Sequence, residues 1–178
     1  MQNWSELIFT SEVSFQEKAQ KIFEYQFENN LVYRRYCQAL KGTNSISEIL
    51  KQVQNDKGGF PLLPIRAFQD AEITTQPGKK PDLIFKSSGT SRMQSSAHRV
   101  MDASMYKKSL FKGFQQFYDL ESAVIWGYMP IYENNPHSSL IYMMQELIFQ
   151  DESGLSRFLR LDEALNPNKF KELQEAGK

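Results

Sequence analysis

The stretch Leu83-Ile84-Phe85-Lys86-Ser87-Ser88-Gly89-Thr90-Ser91-Arg92 carries an apolar run directly into a cluster of hydroxyls and backbone amides. Leu83 to Phe85 has the composition of a buried strand, and Asp102 followed by Ala103 to Tyr118 reads as the next helix, so the hydroxyl cluster falls in a strand-to-helix connection. In an open α/β sheet, such connections at the carboxyl ends of strands are where ligands bind. Gly89 lets the main chain approach a ligand closely, and successive N–H groups can converge on it. Ser87, Ser88, Thr90 and Ser91 add hydroxyl donors, and Lys86 and Arg92 flank the segment with positive charge. This is a pattern for holding phosphate. The same residue types also build ordinary surface turns, and the segment is neither a Walker A loop nor a three-glycine dinucleotide fingerprint. Its surroundings therefore decide the reading.

Upstream, Phe60 to Phe68 is apolar but punctuated by Pro61 and Pro64, which disfavours helix and central strand and predicts an extended segment. Pro77-Gly78-Lys79-Lys80 is a polar turn, so Asp70 to Thr74 is expected as an edge strand paired with Asp82 to Lys86. Downstream, Met105, Tyr106, Leu110, Phe111, Phe114, Phe117 and Tyr118 recur at helical intervals and read as a core-facing stripe. Ala123 to Met129 reads as a buried strand ending at Pro130, and Ser138 to Phe149 as a helix started by Ser138 and Ser139. Gly154 to Leu161 is a further strand candidate, and Pro167 to Ala176 a helix entered through Asn166. This alternation predicts a parallel sheet with right-handed crossovers.

The first third is helical in pattern. Ser14 to Leu40 spaces Phe15, Ala19, Ile22, Phe23, Phe27, Leu31, Tyr33 and Tyr36 as a helix does, with Ser14 and Glu17 as a capping box and an interruption near Asn29-Asn30. Gly42 reads as a stop, and Ile46 to Val53 as a short amphipathic helix capped by Ser45 or Ser47. Cys37 continues the apolar pattern and reads as a packed thiol.

Lys plus Arg and Asp plus Glu are equal at 21 each, so no global field argues for nucleic acid or an anionic membrane as a partner. No apolar run is long enough to span a bilayer and the first residues lack the pattern of a secretion signal, so a cytoplasmic protein is expected. A single cysteine excludes an internal disulfide, and with only His98 and His137 the supply of zinc ligands is poor. Mg²⁺ arriving with a nucleotide is the metal to expect.

Several blocks, in order and spacing, resemble the acyl-protein synthetase family, the fatty-acid-activating components of the bacterial bioluminescence reductase complex. They are Phe60 to Phe68, Phe85 to Thr90, His98-Arg99-Val100-Met101-Asp102 with Tyr106, Phe114 to Tyr118, and Met129-Pro130-Ile131-Tyr132 followed by Ser138 to Met143. That family is similar to the adenylate-forming acyl-CoA synthetases and luciferases, whose Ser/Thr-Ser-Gly-Thr-Thr-Gly loop binds the phosphates of ATP. The resemblance implies activation of a fatty carboxylate as acyl-AMP, with transfer to the thiol of an acyl-accepting protein. It places Ser87, Ser88, Gly89, Thr90, Ser91 and Arg92 on the ATP phosphate loop, and His98, Asp102, Tyr132, Ser138 and Ser139 at the pocket. The implied fold is α/β: a helical segment over 1–56, then, over 57–178, an incomplete, mainly parallel sheet with helices on both faces. Adenine and ribose contacts, the catalytic lysine and the acyl-accepting cysteine of the family fall beyond Lys178, which implies an N-terminal portion, complemented by a continuing chain or a separate C-terminal half. Arg92 stands where the family's loop has glycine, Met93-Gln94-Ser95-Ser96 replaces its Pro-Lys-Gly, and a Glu-Arg pair is absent near Asn134-Asn135. These departures leave a second expectation: a scaffold kept without turnover, as a non-catalytic remnant or interaction module.

Overall fold

The computed structural model describes residues 3–55, 59–87, 96–131, 134–160, 162 and 166–175. The expected phosphate loop from Ser88 to Arg92, and Tyr132, lie outside the described residues. Eight helices and four short strands are present among the described residues, the strands in two two-stranded sheets, one antiparallel (β1, Leu83–Lys86; β2, Ala97–Val100) and one parallel (β3, Trp126–Gly127; β4, Arg157–Phe158). The class is α/β. The chain divides into two compact units, the first comprising 1–82 and 88–101, the second 83–87 and 102–178.

The first unit is mostly helical. After α1 (Trp4–Phe9), whose first turn is capped by Asn3, α2 (Phe15–Asn29) begins where the Ser14 hydroxyl accepts the Glu17 N–H at 3.2 Å. Asn30 makes the interruption: it is the C-cap of α2 and the N-cap of α3 (Leu31–Lys41), its Oδ1 accepting the Tyr33 N–H at 3.1 Å. Gly42 then ends α3 in the left-handed region at φ 67°, a conformation that costs glycine little. Ser45, not Ser47, caps α4 (Ile46–Asn55), its Oγ accepting the Glu48 N–H at 3.5 Å. These helices bury one cluster, Phe23, Phe27, Cys37, Ile49 and Val53, closed on its flanks by Tyr33, Tyr36 and Phe60. The proline-punctuated segment after Phe60 is irregular, as its two prolines require, until the single turn α5 (Ala67–Asp70).

Two expectations are corrected in this region. Asp70 to Thr74 is not an edge strand, since Asp70 ends α5 and no strand hydrogen bonding follows it. Asp82 instead donates its N–H to the Val100 carbonyl at 2.9 Å, so the partner lies downstream, in the Ala97–Val100 segment that alternation of polar and apolar residues did not reveal.

In the second unit, α6 (Ala103–Phe114) and α7 (Ser139–Gln150) pack on β1 and on each other. Phe85, Tyr106 and Tyr142 form a three-ring cluster with centroids 5.2 to 5.9 Å apart. Lys107 of α6 is ion-paired with Glu146 of α7 at 2.5 Å. The expected strand from Ala123 to Met129 shrinks to Trp126–Gly127, hydrogen-bonded in parallel to Arg157–Phe158. Gly127 is the residue that permits this pairing, because a Cβ there would sit 2.9 Å from Cδ1 of Phe158. Asp151 shapes the turn into β4, its two carboxylate oxygens accepting the Ser153 and Ser156 N–H groups at 2.9 Å each. The last helix, α8 (Pro167–Glu175), is entered through Asn166, and its Phe170 packs on Trp126. Among the described residues, the parallel sheet expected from the alternation is confined to β3 and β4.

Candidate functional site

Of the expected phosphate loop, only its first residue, the exposed Ser87, falls among the described residues. What the structure does describe is how the strand feeding that segment is held. The Lys86 N–H donates to the His137 carbonyl at 2.9 Å, and His137 Nδ1 lies 3.0 Å from the Ile84 carbonyl. A carbonyl only accepts, so the ring donates from Nδ1 and leaves Nε2 as the acceptor nitrogen of the neutral form. His137 therefore clamps the edge of β1 at two points. Next in the chain is Ser138, the N-cap of α7, whose Oγ accepts the Ile141 N–H at 3.3 Å. The carboxyl end of β1 and the amino end of α7 are by this means brought side by side.

The other expected pocket residues are placed differently. Asp102 is the N-cap of α6: one carboxylate oxygen accepts the Met105 N–H at 3.0 Å and the Ser104 hydroxyl at 2.6 Å. Ser139 lines a groove together with residues of α6, and Asp102 is not among the residues lining it. His98 belongs to the first unit, on β2, with its ring edge-on to Phe68 at 6.1 Å. Desolvation on that side lowers its pKa below the ordinary histidine value, favouring the neutral imidazole although the residue as a whole is exposed.

A feature that sequence reading missed is an open groove of about 530 Å³ between α6 and α7. Tyr106, Leu110 and Phe114 line it from α6 and Phe117 from the turn that follows, Leu140 and Met143 from α7, with Ser109 and Ser139 adding hydroxyls and Gly113 at the wall. The aromatic stripe of α6 read as a core face, yet no residue of α6 is buried, Phe117 is 79% exposed and Leu140 55% exposed. Lys107 fastens α6 to α7 through the nearly buried carboxylate of Glu146, at 2.5 Å. The one signal for the groove in the sequence was Gly113, a glycine inside an otherwise good helical pattern.

No helix of the described residues is long and apolar enough to cross a membrane, and among them no group of three His, Cys, Asp or Glu stands together to hold a metal. Compared with family models, with curated proteins and with solved structures, the chain matches none.

Proposed function

We propose that this chain takes part in the ATP-dependent activation of a fatty carboxylate, with the segment from Ser87 to Arg92 receiving the phosphates, and that its α/β scaffold is of the adenylate-forming type. The observation that carries the reading is the clamp at Lys86, which sets the positive amino end of α7 beside the residue from which the hydroxyl-rich segment departs. The ordered resemblance of the flanking blocks supports it. A carboxylate oxygen attacks the α-phosphorus, the bond from that phosphorus to the bridging oxygen breaks, and pyrophosphate leaves as acyl-adenylate forms. Transfer to the thiol of an acyl-accepting protein then releases AMP. Hydroxyl and amide donors of the segment serve to stabilise charge on the departing pyrophosphate. Mg²⁺ arriving with the nucleotide would supply further charge neutralisation on the phosphates.

The test is exchange of labelled pyrophosphate into ATP in the presence of a panel of fatty acids. The expected result is fatty-acid-dependent exchange that falls at least about tenfold in Thr90→Ala, the loss of one charge-stabilising donor. A second reading, an interaction module without turnover, is favoured by the exposed Phe117 and Tyr118 that follow α6. Absence of exchange together with absence of ATP binding decides for that reading.

A further inference from the structure

We draw no further inference here: the strongest candidate, the open apolar groove between α6 and α7 walled by Phe114, Phe117, Leu140 and Met143, is an unpartnered apolar face, and nothing in the structure shows what covers it.

Discussion

Asn30 shows how much one side chain can hold. At 3% exposure it closes α2 with its backbone N–H, opens α3 with its Oδ1, and donates its amide to Gln26 Oε1 at 3.0 Å. Asn30→Ala removes the cap and leaves a buried donor and acceptor without it, so a loss of about 2 kcal/mol in urea unfolding is expected. The interruption at Asn29-Asn30 was legible because asparagine caps helices. His137 was not legible, since its role depends on a strand more than fifty residues away. Asparagine places an N–H donor close to where the histidine carries Nδ1, so His137→Asn is expected to keep the bond to Ile84 and His137→Ala to lose it. Amide exchange at Lys86 should be about fivefold faster in the alanine variant, the effect of one weakened hydrogen bond, and near wild type in the asparagine variant.

Among elements, the helices were read well and the strands poorly, and the reason is physical. A helix closes its hydrogen bonds within a contiguous segment, so Ser14, Gly42, Ser138 and Asn166 announce its ends locally. A strand is completed by a partner elsewhere. Ala123 to Met129 has the composition of a long buried strand, but the hydrogen bonds to the segment around β4 run only from Ile125 to Gly127, with Trp126 and Gly127 in register with Arg157 and Phe158. That contact depends on Gly127 lying under the Phe158 ring. Gly127→Ala brings a methyl to 2.9 Å from the ring and 3.6 Å from Ile148 Cδ1, and is expected to cost about 1–3 kcal/mol in thermal or urea unfolding. Phe158→Leu in the same chain removes the obstruction, so the double variant should recover part of that loss relative to the sum of the two singles. The α6 stripe misled for a related reason: helical spacing reports that a face is apolar, not that anything covers it.

The whole molecule carries two tryptophans, and they fall one to each unit: Trp4 packs on Tyr25 in the first, Trp126 on Phe170 in the second. Each unit also has its own core, Phe23, Phe27, Cys37, Ile49 and Val53 in one, Phe85, Tyr142, Leu147 and Ile148 in the other. Their responses to alkali should differ. In the first unit, burial raises the pKa of Tyr33, with the neighbouring Cys37 adding to the effect, and burial raises that of the Cys37 thiol, which has no exposed surface. Tyr33 also donates its hydroxyl to the Pro61 carbonyl at 2.6 Å, a bond that exists only while it is protonated. Both groups have folded pKa values above their unfolded ones. Their contribution is therefore fully present below the unfolded values, about 8.5 for a thiol and about 10 for a phenol, and is lost as pH rises above them. Among the described residues of the second unit, the pKa of Tyr106 is raised by desolvation. It follows that Trp126→Phe, which leaves Trp4 as the reporter, should show a fluorescence transition at lower alkaline pH than Trp4→Phe, which leaves Trp126. Cys37→Ala in the Trp126→Phe background should move the first transition to higher pH, because the group that most readily ionises on unfolding is gone. Coincident transitions in the two reporters would mean that ionisation at Tyr33 and Cys37 is felt equally by both cores.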